Sequence, residues 1–340
     1  MRAVEYSRPG DPGVLTLVDR PDPEPGPGEV LVRVRRSGVN PTDWKSRRSG
    51  PADDQGRIDP PQVPGQDGAG EIVAVGEGVN PTRVGHRVWI WEAAWQRKDG
   101  TAQELCRVPV AQAVGLPEDV SFDAGAALGI PFLTAHRCLT VTEGGPDELG
   151  PGALAGRTVL VSGGAGAVGN AAIQLARWSD ATVISTVSSP AKAQLAVAAG
   201  ADHVINYRDQ DAAAEIRKLA PRGVDTVVEV AAAVNADLDV AVIAPHATVA
   251  VYADDGTPLT VPVRPLMTPN ARWQFVLVYT APAAAKARAV SAVSVALAEG
   301  AIRVGEAAGL PLHHFPLDQA AAAHQAVEDG IVGKVLIDLD

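Results

Sequence analysis

The sequence has few cysteines and no long apolar run. Its 340 residues include two cysteines, Cys106 and Cys138, which are too few for a disulfide framework or a four-cysteine zinc lobe within this chain. No uncharged apolar run reaches the ~18 residues of a membrane-spanning helix, and the first residues lack an apolar signal-peptide core. We therefore expect a soluble, cytoplasmic protein that does not bind a membrane.

Positive charge is also scarce. The chain has 29 Lys and Arg against 40 Asp and Glu, which gives a net charge of -11. An extended phosphate-binding surface is not expected on such a chain, so we predict no nucleic-acid partner. Hydrophobic residues make up 46% of the sequence, and the length suffices for two domains with a core each. Only six of the basic residues are lysines, so a lysine inside a motif is more informative than usual.

A strand, a glycine-rich turn and a helix are predicted near the middle of the chain. An apolar run at 157–162 leads into the turn, and an amphipathic helical pattern follows at 167–178. The Gly-x-Gly-x-x-Gly spacing permits a tight turn, close approach of the backbone to a pyrophosphate, and close packing of the helix on the strand. Amides at the helix N-terminus then face the phosphates. The predicted dinucleotide-binding residues are Gly163, Gly164, Gly166, Ala167, Val168 and Gly169.

Strands and helices alternate after this turn, which is typical of a doubly wound parallel sheet. The predicted elements are strands 157–162, 181–187, 203–206, 224–230, 247–252 and 273–279 and helices 167–178, 190–199, 211–219, 235–244 and 281–298. The first third of the chain reads instead as antiparallel β structure, with a helix beginning at Asn40 and a polar surface loop at 51–62.

Motifs along nearly the whole chain resemble one superfamily. In order, they are Gly38–Asp43, Pro64–Glu71, Ile130–Ala135, Gly163–Gly169, Val204–Tyr207 and Gly333–Leu336. With these motifs the chain resembles the medium-chain dehydrogenase/reductases, and within them the zinc-free, zeta-crystallin-like NADPH:quinone oxidoreductases. The fold class implied is α/β, with a Rossmann doubly wound parallel sheet domain at 128–280. A β-rich GroES-like catalytic domain is expected at 1–127 together with 281–340.

Two motif positions separate the zinc-free branch from zinc-dependent relatives. Those relatives have a cysteine where this chain has Asn40, and Gly-His-Glu where it has Gly65–Asp67. Because a catalytic zinc needs three protein ligands, we expect no metal site. Without a metal, hydride transfer requires an acceptor activated by conjugation, which is a quinone or an enone. The protein would supply orientation and a dry cleft between its domains.

Three catalytic-site residues follow from the resemblance. It places Asn40 and Asp43 beside the nicotinamide and Thr134 against the cofactor. Simpler interpretations stay open: Asn40 can be only a helix cap, Asp43 a favourable charge in the first turn, and Thr134 a hydroxyl inside a helix. Trp44 replaces the tyrosine of many relatives, so a phenolic proton donor is missing, which mildly favours quinones over enones.

The predicted strand 181–187 ends without a carboxylate, although an NAD site usually places one there to bind the ribose hydroxyls. By resemblance, the 2′-phosphate of NADPH is surrounded by Ser188, Lys192 and Tyr207, and Lys334 reaches the cofactor from the C-terminal segment. Ser189 is read as a simple N-cap before a proline. Lys192 can also be a solvated helix lysine. We expect NADPH as the cofactor.

Two other functions stay open at this point. One is an enoyl or enone double-bond reductase; action on carrier-bound acyl chains would need a basic patch that this acidic chain does not show. The other is an NADPH-binding protein with a structural or partner-binding role and little turnover. The predicted strand Trp273–Tyr279 is apolar on both faces and would be an aggregation hazard unless paired, so we expect a homodimer or homotetramer.

Overall fold

A computed structural model describes residues 1–50 and 52–339. Pro51, at the start of the predicted surface loop, and Asp340, at the end of the predicted first domain, lie outside the described residues. The chain forms two compact units, Met1–Ile130 with Leu312–Asp340, and Pro131–Pro311. The first boundary is close to the expected one. Residues 281–311 fall in the second unit, although we expected them in the first.

Both units contain strands and helices. The strands are β1 (Arg2–Glu5), β2 (Thr16–Asp19), β3 (Glu29–Val39), β4 (Asp67–Val75), β5 (Arg87–Ile90), β6 (Leu105–Pro109), β7 (Ala113–Gly115), β8 (Thr158–Ser162), β9 (Thr182–Val187), β10 (His203–Asn206), β11 (Val224–Glu229), β12 (Ile243–Val251), β13 (Arg272–Phe275), β14 (Leu312–Pro316) and β15 (Lys334–Asp338). The α-helices are α1 (Pro41–Ser49), α2 (Phe122–Leu139), α3 (Ala167–Trp178), α4 (Pro190–Ala199), α5 (Ala212–Leu219), α6 (Ala232–Val242), α7 (Val263–Met267), α8 (Ala283–Ala298) and α9 (Ala320–Glu328).

The second unit contains the parallel sheet that the sequence predicts. Its strand order is β10-β9-β8-β11-β12-β13, and each neighbouring pair is parallel. Leu160, Ile184, Val227 and Val249 are fully buried in its core. The order reverses direction between β8 and β11, so a ligand is expected outside the carboxyl ends of these strands. The Rossmann prediction is confirmed.

Two elements of this unit differ from the prediction. Helix α6 begins at Ala232 rather than at 235, because the Glu229 carboxylate accepts hydrogen bonds from the amide of Ala231 and from Asn235 Nδ2, and so supplies a cap from the end of the preceding strand. Strand β13 ends at Phe275. The last part of the predicted strand is instead the 3-10 turn Val278–Thr280, whose first two side chains are buried.

Residues 281–311 belong to the second unit because they pair with the first two helices of the Rossmann fold. Asn170 Nδ2 on α3 donates to the carbonyl of Ala308 at 2.8 Å. Gln174 exchanges two hydrogen bonds with the backbone of Arg303, at 3.0 and 2.8 Å. Gly309 packs so closely on α4 that a Cβ would lie 2.0 Å from the Leu195 carbonyl oxygen. These polar partners lie far apart in the sequence, so no local pattern shows them.

The first unit is a mostly antiparallel sheet of order β14-β15-β3-β4-β5-β7, with β6 also paired to β3. Val30, Val32 and Val34 alternate along β3 and are buried, as the predicted period of two requires. The C-terminal strand β15 pairs with β3 so that Val335 lies opposite Val39. This register places the start of β15 beside the start of α1. No helix in the described ranges is long and apolar enough to cross a membrane.

Candidate cofactor and catalytic site

The glycine-rich turn joins β8 to α3 at the carboxyl edge of the parallel sheet. Gly163 has φ of +72°, a left-handed conformation that favours glycine. A Cβ on Gly164 would lie 2.0 Å from Ser185 Oγ, and a Cβ on Gly169 would lie 2.4 Å from the Gly163 carbonyl oxygen. Gly166 is the N-cap residue of α3. The turn therefore keeps side chains out of the space where helix amides point, which is the arrangement that accommodates a pyrophosphate.

The end of β9 brings together the residues expected at a 2′-phosphate. Lys192 Nζ donates to Ser188 Oγ at 3.2 Å. The amide of Tyr207 donates to the Val187 carbonyl at 3.1 Å, which holds this half-exposed tyrosine at the same sheet edge. Ser189 Oγ accepts from the Lys192 amide at 3.3 Å and caps α4. The Ser188 hydroxyl and the Lys192 ammonium group therefore lie side by side, with the backbone of Tyr207 at the same sheet edge, and a phosphate would find donors there.

A cavity of about 300 Å³ lies beyond the ends of β11, β12 and β13. Its lining combines small or apolar side chains with two carboxylates, among them Ala231, Val251, Leu259, Phe275, Asp254 and Asp255. In a doubly wound sheet a dinucleotide crosses the switch point, with one half over each set of strands. Since Ser188 and Lys192 follow β9 on one side, this cavity on the other side is suited to the second half of a dinucleotide.

In the first unit, Asn40, Asp43, Asp67 and Lys334 form a buried cluster, which we call the Asn40 network. Asn40 Nδ2 donates to Asp67 Oδ2 at 2.7 Å, and Lys334 Nζ donates to Asn40 Oδ1 at 2.7 Å. Lys334 Nζ also lies 3.2 Å from Asp67 Oδ2. Asn40 precedes α1, as predicted for a cap, but its carboxamide bridges an ammonium and a carboxylate from two strands. Its role is therefore more than helix capping.

Asp43 fixes the start of α1. Its Oδ2 accepts the Asn40 amide at 2.7 Å, and its Oδ1 accepts the Gly65 amide at 3.1 Å. Burial raises the pKa of this carboxyl to about 7, and the negative charge of Asp67 contributes, while the two amides and Lys334 oppose the rise. Asp43 therefore takes up or releases a proton near neutral pH.

The other predicted site residues have simpler surroundings. Thr134 lies in the middle of α2 and is 5% exposed. Lys334 is 2% exposed and bound to Asn40 and Asp67. Its contact with a cofactor stays a prediction, and in this structure its ammonium group belongs to the Asn40 network.

Sequence reasoning missed three buried carboxyl groups. Asp67 lies inside a motif that carried the family resemblance, yet its pairing with Lys334 joins positions far apart in the chain. Glu229 is the last residue of β11 and Asp239 lies on α6, and both side chains are fully buried. The available signal for Glu229 was an acidic residue directly after the apolar pair Val227 and Val228 at the end of a strand.

The donor set of the Asn40 network does not suit zinc. Asn40 and Gln66 supply no thiolate or imidazole, and the Lys334 ammonium group already occupies the space beside Asp67 where a cation would lie. Within residues 1–50 and 52–339, no three His, Cys, Asp or Glu side chains cluster as a metal site. The glycine turn and the end of β9, in contrast, fit a phosphorylated dinucleotide.

Two family models match the chain. The alcohol dehydrogenase GroES-like domain matches residues 26–118, and the zinc-binding dehydrogenase domain matches residues 167–295. The quinone oxidoreductase of Lama guanicoe is 30% identical over 99% of this chain and 97% of its own length. The synaptic vesicle membrane protein VAT-1 homolog of Rattus norvegicus is 38% identical over 63% of this chain, and the match spans half of that relative's length.

Solved structures share the whole fold. A mycobacterial protein in complex with NADPH superposes with a TM-score of 0.81, at 30% identity and with 100% of both chains covered. An NAD-dependent alcohol dehydrogenase superposes with a TM-score of 0.83, at 29% identity, again with 100% of both chains covered. From its full-length similarity to the Lama guanicoe enzyme, its two matched domains and its glycine turn, the chain belongs to the quinone oxidoreductase branch of the medium-chain dehydrogenase/reductase superfamily.

Proposed function

We propose that this chain is an NADPH-dependent reductase that transfers hydride, without a metal, to a quinone or another conjugated carbonyl acceptor. The observation that carries the choice of NADPH is the contact of Lys192 with Ser188 at the end of β9. An NAD-specific site would use a carboxylate there, and residues 187–192 contain none. The NADPH complex of the mycobacterial neighbour supports the same choice.

The residues around the parallel sheet have distinct tasks in this proposal. The amides after Gly163 bind the pyrophosphate, and Ser188, Lys192 and Tyr207 bind the 2′-phosphate. The apolar part of the cavity at the ends of β11–β13 takes the nicotinamide half and keeps water away from it. Bound NADPH would supply the hydride. Thr134 is proposed to contact the cofactor as well.

The acceptor follows from the donor set of the first unit. Since no zinc ligands polarise an alcohol or a ketone there, the acceptor must stabilise the added electrons itself, as quinones and enones do. The relative from Lama guanicoe is named a quinone oxidoreductase, which supports a quinone as the acceptor. Asn40 and Asp43 are proposed to lie beside the acceptor, with Asp43 able to hold a proton near neutral pH.

Absorbance of NADPH, followed over a panel of quinones and enones, tests this function. We expect turnover with quinones, a clear preference for NADPH over NADH, and full activity after exhaustive chelation. Equal use of NADH would contradict the cofactor assignment. A stoichiometric bound zinc whose removal abolishes turnover would contradict the metal-free mechanism. Reduction of enones alone would favour the double-bond reductase.

Binding of NADPH without turnover of any acceptor would favour a structural or partner-binding role. The rat VAT-1 homolog is named as a synaptic vesicle membrane protein, and this relative supports that alternative. The same absorbance panel, combined with a binding titration of NADPH, separates the two functions.

We further propose that the protein assembles as a homodimer or a dimer of dimers through β13. This strand ends the parallel sheet, and Phe275 and Leu277 at and after its end are 63% and 49% exposed. An edge strand that exposes large apolar side chains at its end is normally covered by pairing. Light scattering at micromolar concentration should give at least twice the chain mass of 35.1 kDa, and a monomer would contradict the proposal.

A further inference from the structure

The Asn40 network buries two carboxyl groups with one ammonium group. Asp43 is 3% exposed, Asp67 is 0% exposed and Lys334 is 2% exposed. A buried charge is costly unless an opposite charge or hydrogen bonds compensate it. Lys334 can compensate one carboxylate. The other carboxyl group has no cation of its own, so it avoids an uncompensated buried charge by binding a proton. The network as a whole therefore favours one bound proton.

The hydrogen bonds decide which carboxyl group carries that proton. Asp67 Oδ2 accepts from Asn40 Nδ2 and from the Lys334 ammonium group, and Asp67 Oδ1 accepts from the Ile130 amide at 2.8 Å. Burial raises the pKa of Asp67, but all three of these donors favour its ionised form. The two hydrogen bonds of Asp43 come from uncharged backbone amides, whereas those of Asp67 include one from an ammonium group. The pKa of each carboxyl group is raised overall, and it is the hydrogen-bond geometry that favours the proton on Asp43.

We propose that Lys334 and Asp67 are positioning residues, whose ion pair holds the Asn40 carboxamide in place and leaves the single proton of the network on Asp43. The consequence for the reaction rests on the proposed function. If Asp43 lies beside the acceptor, a neutral acid faces the negative charge that hydride transfer creates, and it would repel that charge less than a carboxylate.

Other charged groups near Asp43 are already compensated. Arg47 on α1 donates to Glu328 on α9 at 2.8 Å and to the Gly10 carbonyl at 2.6 Å. Burial lowers the pKa of His324 on α9 to about 3, with Arg47 contributing, so this imidazole is neutral. Burial, together with the charge of Asp43, raises the pKa of Tyr6 to about 12, so this phenol is neutral too. The balance at Asp43 is thus set within the Asn40 network.

Carbon-13 NMR of aspartate carboxyl groups tests the proposal on the full chain without cofactor. Asp43→Asn assigns the Asp43 signal. In the wild-type protein we expect that signal to titrate near pH 7 and the Asp67 signal to stay ionised through neutral pH. In Asp67→Asn, the positive charge of Lys334 is no longer compensated by Asp67 and stabilises ionised Asp43. The titration midpoint of Asp43 should therefore fall by about one pH unit or more.

Lys334→Met should have the opposite effect. It leaves Asp43 and Asp67 buried without a cation. The proton that these two carboxyl groups share should then be released about one pH unit or more above the wild-type midpoint of Asp43. The matched control is Lys218→Met, which removes an exposed lysine paired with Glu215 and should not move the Asp43 signal. Both variants are judged on protein whose amide spectrum shows it is folded. Should Lys334→Met not fold, the isosteric Asp67→Asn decides.

An Asp43 signal that titrates near its ordinary value, or a proton found on Asp67 instead, would overturn the proposal. Midpoints that Asp67→Asn leaves unchanged would overturn it too, because a purely structural pair would not set the charge of a neighbour. These measurements need no turnover. A protein that reduced neither quinones nor enones would refute the proposed function and still give this answer.

Discussion

A pair of buried carboxyl groups lies in each unit, and the two pairs are stabilised differently. In the first unit, Lys334 contacts Asp67, and Asp43 titrates near neutral pH. In the second unit, Glu229 accepts from Ser162 Oγ at 2.6 Å and from Asn235 Nδ2 at 2.9 Å. The donors to the Glu229 carboxyl group in these two bonds are therefore uncharged.

The partner of Glu229 shows what the missing ammonium group means. Both carboxyl oxygens of Asp239 lack a hydrogen-bond partner within the described part of the chain. Burial, with the charge of Glu229 contributing, raises the pKa of Asp239 to about 9. Asp239 therefore carries a proton at neutral pH. In the first unit a cation contacts one of the two carboxyl groups, whereas in the second unit a tightly held proton keeps Asp239 neutral.

Removal of the cation should produce the largest effect on stability. Lys334→Met leaves Asp67 buried without its ion partner, and breaking a buried pair in this way costs about 3–5 kcal/mol. Urea unfolding at pH 8 measures the loss. The control Lys218→Met removes an exposed ion pair and should change the free energy of unfolding by less than about 0.5 kcal/mol. A loss for Lys334→Met as small as that of the control would refute the energetic role of the pair.

A lysine at the sheet edge of the second unit should affect binding rather than stability. Lys192→Ala removes a charge-assisted contact to phosphate worth about 1.5–3 kcal/mol, so KM for NADPH should rise roughly ten- to a hundredfold. Kinetics with NADH should stay nearly unchanged, because NADH has no 2′-phosphate. Equal weakening of both cofactors would show that Lys192 does not bind the 2′-phosphate. Lys218→Ala, on an exposed helix of the same unit, is the control.

The pH dependence of stability should distinguish the two carboxyl pairs. An unfolded aspartic acid loses its proton near pH 4, whereas folded Asp239 keeps its proton up to about pH 9. Relative to Asp239→Asn, the wild-type free energy of unfolding should therefore fall as pH rises from about 4 to 9, by at most about 1.4 kcal/mol per pH unit.

The difference in free energy of unfolding between the wild-type protein and Asp43→Asn should fall in the same way but level off near pH 7, where folded Asp43 releases its proton. Urea unfolding from pH 5 to 9 gives both difference curves, and only their slopes matter, since each substitution adds a constant cost of its own. If the Asp239 curve were flat over this range, its carboxyl group would be ionised in the folded protein.

Local patterns predicted the parallel sheet well because its strands are short apolar runs, and because helices α4 and α5 have their own capping side chains, Ser189 and Asp211. Helix α4 begins at Pro190 and ends at Ala199, as predicted, since Ser189 caps it and Gly200 ends it in a left-handed conformation. A proline inside a helical sequence usually ends or kinks the helix, but α2 is one continuous helix over Phe122–Leu139 with Pro131 inside it. The proline is tolerated inside it because burial of its neighbours stabilises the helix.

The Asn40 network was less accessible to prediction. Its residues were visible as separate motif members, but the contact of Lys334 with Asn40 spans 294 positions and arises from the pairing of β15 with β3. The charge balance of such a cluster depends on three strands and one helix meeting, so no window of sequence contains it.

Two helix starts make this contrast measurable. Asn40 before Pro41 and Ser189 before Pro190 give the same local signal, a capping residue followed by proline. In the structure Ser189 Oγ accepts from the amide three residues on, whereas the Asn40 carboxamide binds Asp67 and Lys334.

Ser189→Ala should therefore lower the free energy of unfolding by about 1 kcal/mol, the ordinary cost of losing a cap. Asn40→Ala should cost more, because it also removes one hydrogen bond from the buried Lys334 ammonium group and one from the buried Asp67 carboxylate, at about 1–3 kcal/mol. Urea unfolding of both variants at pH 7 gives the difference. Equal costs would mean that Asn40 serves only as a helix cap, and the Asn40 network would then lose its bridging residue as an energetic contributor.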